Sequence, residues 1–182
     1  MNITKTNIEG LLILEPRIFK DDRGYFYESY NRQKFGELGI EADFIQDNQS
    51  FSQKGAVRGL HGQANPFAQS KLVRVIKGRA LDVAVDIRKN SPTFGKHFSI
   101  ELNEDNKLLF YIPAGFLHGF ATLEDDTIFT YKVNNYYNKA SEIGVLWNDE
   151  TLAINWGIRT NDVLLSAKDE ILPRFHEFNS PF

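Results

Sequence analysis

The chain has 182 residues, of which 42% are hydrophobic and 25% charged, so it can bury one good core and is expected to form one domain over residues 1–182. Its formal net charge of -3 argues against nucleic acid as a partner, because such partners normally select a clustered basic face. The absence of cysteine excludes disulfides, a thiolate nucleophile and cysteine-based metal sites.

The first part of the chain carries no targeting signal and one helix signal. Residues 1–5 lead into no signal-peptide core, and no later apolar run approaches the roughly 20 residues that cross a bilayer. We therefore expect a cytoplasmic protein with no membrane partner. Residues 31–38 predict about two helical turns, which Gly39 would end.

The clearest strand signal lies between residues 71 and 88. Residues 72–76 and 81–87 are rich in β-branched and aliphatic side chains, and residues 77–79 form a turn-like link that contains glycine. In the second run, aliphatic side chains alternate with Asp82 and Asp86, which is typical of a strand with two unlike faces. The pattern predicts a β-hairpin.

Further strand signals follow at short intervals. Residues 97–102 and 108–112 flank a turn-like polar stretch and predict a second hairpin, and residues 127–133 predict another strand. Residues 162–171 predict a short C-terminal helix. Many short strands with turns between them, together with few helices, indicate an all-β sandwich or closed barrel.

Two of the four histidines follow glycine-rich or turn-prone backbone. His61 ends the segment Arg-Gly-Leu-His at 58–61, and His118 follows Pro113 and Gly115. Such loops at strand ends are where sites tend to be built, although each histidine could equally be satisfied inside an aromatic core. A metal site is a third interpretation. It is weakened because neither histidine has a histidine or carboxylate two to four positions away.

Three other side chains remain ambiguous when they are considered one at a time. Tyr131 alternates onto one face with apolar neighbours, which usually means core packing, and Lys71 and Arg58 resemble solvated surface charges. Strict alternation would also place Arg58 and His61 on opposite faces of a strand. If both act in one pocket, Gly59 must permit a bulge or the strand must end there.

Several segments occur in an order and at a spacing that match one enzyme family. The matching segments are residues 23–29, 46–48, 58–61, 71–74, 82–88, 91–95, 112–113, 115–116, 118–120 and 131–132. So many segments together are far more specific than any single motif. On these segments the chain resembles the dTDP-4-dehydrorhamnose 3,5-epimerase family of cupin-like enzymes from about Ile8 to Asp169.

The resemblance implies an all-β, cupin-like jelly-roll barrel with a few short peripheral helices, assembled as a homodimer. It implies an isomerase that needs no cofactor and no metal. The implied substrate is a dTDP-sugar, dTDP-4-dehydro-6-deoxy-D-glucose, whose carbons 3 and 5 are inverted to give dTDP-4-dehydro-L-rhamnose in rhamnose or related deoxysugar biosynthesis. Pairing through the N-terminal strands of two copies would also protect exposed sheet edges.

The resemblance also implies roles for individual residues. His61 would be the base, Asp169 would orient it, Lys71 would stabilise the enolate, and Tyr131 would return a proton from the other side of the sugar. Tyr137 is the residue implied to stack on the nucleotide base. The residues implied to bind substrate are Arg23, Glu28, Gln46, Asp47, Asn48, Arg58, His118, Tyr137, Glu142 and Lys168.

One position departs from the family pattern. Gly62 follows the implied base where most family members have an aromatic residue. We expect this change to remove a packing wall beside His61 and to loosen the hold on the sugar. The sequence therefore leaves open whether both carbons or only carbon 3 is inverted. It is also compatible with a metal-dependent cupin, a ketoisomerase of related fold or a non-catalytic sugar-nucleotide binder.

Overall fold

The computed structural model describes residues 1–182 and consists mainly of short strands. The strands are β1 (Asn2–Lys5), β2 (Leu12–Glu15), β3 (Phe19–Asp21), β4 (Gly24–Phe26), β5 (Gln46–Ser52), β6 (Val57–Gln63), β7 (Lys71–Lys77), β8 (Arg79–Asp86), β9 (His97–Asn103), β10 (Leu109–Ile112), β11 (Phe116–Thr122), β12 (Thr127–Val133) and β13 (Glu142–Gly144). The helical elements are α1 (Arg32–Glu37) and four short 3-10 turns, Lys139–Ser141, Thr160–Asp162, Asp169–Ile171 and Phe175–Glu177. No helix is both long enough and apolar enough to cross a membrane.

Two antiparallel sheets face each other and enclose the core. One has six strands in the order β1-β2-β10-β7-β12-β5, and the other has five in the order β13-β6-β11-β8-β9. Strands β3 and β4 form a separate two-stranded sheet. This architecture confirms the predicted all-β, cupin-like jelly-roll barrel with short peripheral helices.

The alternation along β8 explains how its two faces are used. Val83 and Val85 face outward, into an apolar cluster covered by the C-terminal part of the chain, which contributes Trp147 and Trp156. Ala84 faces inward and packs in the cluster between the two sheets. The predicted strand with unlike faces is therefore confirmed. Asp82, on the inward face, is fully buried inside the barrel.

Both predicted hairpins are wrong in their pairing, although their strands form where the sequence places them. β7 pairs with β10 and β12 in the six-stranded sheet, whereas β8 pairs with β11 and β9 in the other sheet. β9 and β10 are divided between the two sheets in the same way. Each short turn therefore connects a strand of one sheet to a strand of the other sheet.

The two predicted helices have opposite outcomes. The first is confirmed: the side chain of Asn31 caps α1 by accepting the backbone N–H of Lys34, and Gly39 follows with a φ of +83°. The predicted helix over residues 162–171 is wrong, because Leu164 is extended and bridges Ala56 in parallel. The remainder of that range contains only the last residue of one 3-10 turn, Asp162, and a second 3-10 turn, Asp169–Ile171.

Candidate active site

A cavity of about 640 Å³ lies between the sheets, and we call it the central cavity. Predicted site residues from five strands and the C-terminal segment line it: Asn48, Arg58, His61, Lys71, His118, Tyr131, Lys168 and Asp169. A side cavity of about 250 Å³ shares four of these residues and adds Gln46, Tyr137 and Glu142. The barrel therefore brings together eleven of the fourteen predicted site residues.

A bulge in β6 explains how Arg58 and His61 reach the same cavity. His118 of β11 pairs with His61 and Phe120 pairs with Arg58, so one residue of β11 between these pairs lies opposite two residues of β6. Gly59 adopts a φ of +134°, and a Cβ there would lie only 2.5 Å from Cα of Gly119. Glycine is required at this position, and of the two alternatives that the sequence left open, a bulge or the end of the strand, the structure has the bulge.

His61 is held by a buried carboxylate. Its Nε2 lies 2.5 Å from Oδ1 of Asp169, and Ser166 Oγ donates to the other carboxylate oxygen at 2.9 Å. Burial opposes ionisation of Asp169, but the hydrogen bonds from His61 and Ser166 outweigh it and lower the pKa of this carboxyl. With Asp169 ionised, Nε2 of His61 carries the proton in that hydrogen bond and Nδ1 remains the basic nitrogen.

A second histidine–carboxylate pair lies deeper in the barrel and contacts Lys71. His118 Nε2 lies 2.8 Å from Asp82 Oδ2, and its Nδ1 lies 3.4 Å from Lys71 Nζ. Burial lowers the pKa of His118 despite the nearby carboxylate. Burial also lowers the pKa of Lys71 to about 8, against the opposing charges of Asp82 and Glu142. Keeping Lys71 charged inside the cavity therefore costs folding free energy.

Tyr131 enters the cavity from β12, in the sheet opposite to β6. Lys71 Nζ lies 5.8 Å from the centroid of its ring. Burial raises the pKa of the phenol, and the charge of Arg58 only partly offsets this effect. The phenol therefore keeps its proton at neutral pH. His61 and Tyr131 stand on facing walls of one cavity.

The side cavity carries an exposed tyrosine and an ion pair. Tyr137 is 59% exposed, and its hydroxyl donates to Glu142 Oε2 at 3.1 Å. Glu142 also pairs with Lys168, and this contact outweighs the effect of burial and lowers the pKa of Glu142. On the facing strand, Gln46 Nε2 donates to Asn48 Oδ1 at 2.9 Å. An exposed aromatic face bordered by polar groups suits a nucleotide base.

Three predicted site residues lie outside both cavities. Arg23 and Glu28 are on or beside the β3–β4 hairpin, where Arg23 pairs with Asp21 and Glu28 pairs with Lys34. Alternation along β5 turns Asp47 to the outer face of the sheet, where it binds Lys132 at 2.7 Å. A single copy of the chain does not bring these three side chains to His61, and their binding roles stay predictions.

The sequence predicts that Gly62 removes a packing wall beside His61, and this prediction is wrong because a side chain at position 62 would point away from the sugar. A Cβ at this position would lie 3.3 Å from Leu117 Cδ2 and 3.4 Å from Ile143 Cγ1. Leu117 belongs to the outer apolar cluster, on the face of β6 opposite to His61. A larger side chain at position 62 would press on that outer cluster instead of forming a wall beside the sugar.

Three polar partners in and around the site were not predicted from the sequence. Asp82 binds His118, Ser166 binds Asp169, and Gln63 holds backbone groups next to Tyr137. An aspartate inside an apolar strand is a visible signal for the first, and a serine three residues before an acidic residue is a weak signal for the second. Nothing local distinguishes Gln63.

The two histidines do not share a ligand set. Each binds its own carboxylate through Nε2, and no three His, Asp or Glu side chains are grouped as they would be to hold a metal ion. What the cavity combines is an oriented imidazole, an ammonium group and a phenol. Such a set can remove a proton, stabilise an oxyanion and return a proton from the opposite wall.

Comparison with known proteins identifies the family. A family model for dTDP-4-dehydrorhamnose 3,5-epimerase matches residues 5–177. The chain belongs to this family. A dTDP-4-dehydrorhamnose 3,5-epimerase from Escherichia coli (strain K12) is 52% identical over 173 residues, which cover 94% of this chain and 93% of the relative. The family resemblance seen in the sequence is thereby confirmed.

Solved structures of epimerases superimpose closely on the barrel. A dTDP-4-dehydrorhamnose 3,5-epimerase from Elizabethkingia anophelis NUHP1 has 50% sequence identity and a TM-score of 0.95, with 99% of each chain covered. A dTDP-6-deoxy-D-glucose-3,5-epimerase from Legionella pneumophila, in complex with dTDP-4-keto-L-rhamnose, has 46% identity and a TM-score of 0.89. That comparison covers 96% of this chain and 98% of the other.

Proposed function

We propose that this chain is an isomerase that inverts carbons 3 and 5 of dTDP-4-dehydro-6-deoxy-D-glucose to give dTDP-4-dehydro-L-rhamnose, in rhamnose or related deoxysugar biosynthesis. The observation that carries the proposal is the facing arrangement of His61 and Tyr131 in one cavity, with the Lys71 amine beside the phenol ring. Membership of the epimerase family gives the same reaction class.

His61 acts as the base. A hydrogen on a carbon beside a ketone is acidic enough for imidazole to remove it once the resulting negative charge is stabilised. Asp169 keeps the ring in one orientation and stabilises the imidazolium that forms, through the 2.5 Å contact with Nε2. The proton therefore moves from the sugar carbon to Nδ1 of His61.

Lys71 and Tyr131 complete the inversion. Electrons released by proton removal move onto the ketone oxygen to give an enolate, which the Lys71 ammonium group stabilises in a water-poor environment. Tyr131 then protonates the carbon from the opposite face of the ring, because it projects from the sheet that faces β6. Transfer to the face opposite to the base is what inverts the centre.

The cationic groups and the exposed aromatic ring bind the nucleotide part. Arg58 and Lys168 line the central cavity and can pair with diphosphate oxygens, an interaction for which a guanidinium fork is well suited. Tyr137 stacks on the thymine ring at the side cavity. No group besides the side chains of the protein is needed for these steps, so the proposed enzyme uses no cofactor.

Exchange of hydrogen with solvent tests the proposal directly. The protein is incubated with dTDP-4-dehydro-6-deoxyglucose in deuterated water that contains a chelator, and the sugar is followed by NMR and mass spectrometry. Two deuteriums per sugar are expected, one at carbon 3 and one at carbon 5. A single deuterium at carbon 3 would restrict the enzyme to that centre, a shifted keto group would make it a ketoisomerase, and saturable binding without exchange would make it a non-catalytic binder.

A metal dependence is tested in the same samples. We expect the exchange rate to be the same with and without the chelator, because both histidines are occupied by their own carboxylates. Elemental analysis of the purified protein accompanies the assay. Stoichiometric iron or nickel, together with loss of exchange after chelation, would favour a metal-dependent cupin instead.

We also propose that the single domain formed by residues 1–182 works as a homodimer. The β3–β4 hairpin is exposed along its whole length, and it displays Phe19, Tyr25 and Phe26, which are 50%, 58% and 70% exposed. A two-stranded sheet with exposed aromatics on its surface is not expected to be stable alone, so a second copy supplies its cover. The hairpin would then carry Arg23 toward the partner's cavity. The expected cytoplasmic location stays a prediction.

Complementation tests this assembly. The variants Arg23→Ala and His61→Ala, each expected to be inactive alone, are mildly unfolded, mixed and refolded together, and activity is measured against each variant treated alone. In a mixed dimer, one of the two cavities would receive both an intact Arg23 and an intact His61. Recovery of activity toward one quarter of the wild-type value is expected. A monomer by light scattering, or no recovery, would contradict the proposal.

A further inference from the structure

The side chain of Gln63 is buried and forms three hydrogen bonds to backbone groups. Its Nε2 donates to the carbonyls of Phe67 at 2.6 Å and Tyr136 at 3.1 Å, and its Oε1 accepts the N–H of Asn138 at 2.7 Å. The last two groups belong to the peptide units on either side of Tyr137. A single amide therefore holds both peptide units that flank this tyrosine.

Tyr137 has little else to fix its position. Its ring is 59% exposed and is not part of any of the apolar clusters, and its side chain has one hydrogen bond, from the hydroxyl to Glu142. The direction of the ring therefore follows from the backbone at 136–138. Because that backbone lies in a loop after β12, its place relative to the cavity depends on contacts with other segments.

Gln63 connects that loop to the strand that carries the proposed base. It lies two positions after His61 in β6, so the two side chains leave the strand on the same face. Both residues line the side cavity together with Tyr137. The distance between His61 and the ring of Tyr137 therefore depends on the short part of β6 that carries both His61 and Gln63.

We propose that Gln63 is a positioning residue, which holds Tyr137 in place so that a base stacked on its ring aligns the sugar with His61. This inference rests on the proposed function, because it names how the nucleotide end of that substrate is placed. Another hydrogen bond joins the same loops but is less buried: Gln69 Nε2 donates to the carbonyl of Asn135 at 2.7 Å. Gln63 is the more buried of the two glutamines.

Two substitutions of Gln63 and one control separate this role from a general loss of stability. Gln63→Leu removes all three hydrogen bonds with little change of volume. Gln63→Glu keeps the acceptor for Asn138 but places an oxygen against two carbonyls. The control is Gln53→Ala, which removes an exposed amide whose one side-chain hydrogen bond is to Asp126.

Binding of dTDP alone is measured by calorimetry, and kcat and KM are measured with the full substrate. Both Gln63 variants are expected to weaken dTDP binding and raise KM by roughly tenfold, the scale of one lost base-stacking contact. Their kcat at saturation should stay within about threefold of the wild-type value, since the proton-transfer groups are untouched. Unchanged dTDP binding, or a loss confined to kcat, would overturn the proposal.

A double-mutant cycle with Tyr137→Ala provides the sharper readout. If Gln63 acts through Tyr137, then Gln63→Leu should weaken dTDP binding much less in the Tyr137→Ala background than in the wild type. Independent, multiplicative effects would show that Gln63 does not act through this ring. If the wild-type protein binds dTDP but exchanges no deuterium into the sugar, the proposed function is wrong. The double-mutant cycle of dTDP binding would still test the role of Gln63.

Hydrogen exchange checks the geometry without any ligand. In the wild-type protein the Asn138 amide should be protected, because it donates to a buried acceptor. In Gln63→Leu, protection should fall at 136–138 and persist along β6. A freely exchanging Asn138 amide in the wild type would overturn the proposal even if neither variant could be purified.

Discussion

Replacement of Lys71 by methionine should lower activity by at least about 100-fold without weakening the fold. The Lys71 Nζ atom lies 3.4 Å from His118 Nδ1, and burial lowers the pKa of the amine from its usual 10.5 to about 8. Lys71→Met keeps the length of the aliphatic stem and removes the charge. The substitution therefore separates what the ammonium group contributes to catalysis from what it costs in stability.

The stability effect follows from the difference between the folded and unfolded pKa values. Below pH 8 the lysine is charged in both states, and the difference between 10.5 and about 8 corresponds to a cost of about 3 kcal/mol for holding that charge in the folded protein. The cost is an upper limit, because the half-buried side chain borders an open cavity. Between pH 8 and 10.5 the unfolded state binds more protons, so this group makes stability rise with pH.

The charge on Lys71 lowers the stability of the fold, but we expect it to raise the rate of the reaction. With a pKa of about 8, roughly 90% of the amine is charged at pH 7 and roughly 10% at pH 9. The kcat/KM for exchange should thus fall about tenfold per pH unit above 8. Tyr131 does not cause this decline, because burial raises the pKa of its phenol. At pH 7, Lys71→Met should lower kcat by about 100- to 1000-fold, as loss of an oxyanion-stabilising group does.

Urea unfolding and deuterium exchange at pH 6 to 9.5 measure both effects. The matched control is Lys77→Met at the other end of β7, where the amine is exposed and only 3.9 Å from Asp126. At pH 7, Lys71→Met should be at least as stable as the wild type, and the control should keep its activity. A Lys71→Met protein that unfolds more readily at pH 7, or that exchanges within tenfold of the wild-type rate, would refute this reasoning.

Three further substitutions test other parts of the site. Tyr131→Phe should still let deuterium enter the sugar but should not invert carbon 3 or 5, and NMR of the recovered sugar would reveal any inversion. Ser166→Ala removes a donor to Asp169 and raises the pKa of that carboxyl, so the acid limb of the kcat–pH profile should move to higher pH; an unmoved limb would contradict the role of the serine. Gly59→Ala places a Cβ 2.5 Å from Gly119 Cα at a φ of +134°, and should cost more than about 1–3 kcal/mol in urea unfolding, with loss of exchange. Wild-type stability in Gly59→Ala would be incompatible with the bulge.

Strand positions followed from the sequence, whereas strand partners did not. Period-two alternation identified β8 and β12 because a strand with one buried face must alternate whichever strand lies beside it. The turn at Gly78 joins β7 and β8 closely enough for a hairpin, but β7 finds its partners in β10 and β12, far along the chain. Local sequence reports the presence of a turn. It does not report which sheet receives the next strand.

The two helix predictions had different outcomes because only the first helix depends on local signals alone. α1 depends on local signals, since Asn31 caps its first turn and Gly39 ends it, and both act within the segment itself. Residues 162–171 carry similar local signals, but Leu164 instead donates its N–H to the carbonyl of Gly55 and accepts from Val57. That pairing depends on a strand more than 100 residues earlier, and it overrides a weak helical preference.

The catalytic assignment gains most from the surroundings of the two histidines, which no local motif could describe. Both ring nitrogens of His118 have partners, Asp82 at Nε2 and Lys71 at Nδ1, so this ring has no free nitrogen to accept a proton from a sugar. His61 forms one ring hydrogen bond, to Asp169, which leaves Nδ1 without a side-chain partner in the cavity. From the sequence alone the two histidines looked alike. They differ in the structure, and we therefore propose His61 as the base and propose that His118, which lies behind Lys71, supports the ammonium group that stabilises the proposed enolate.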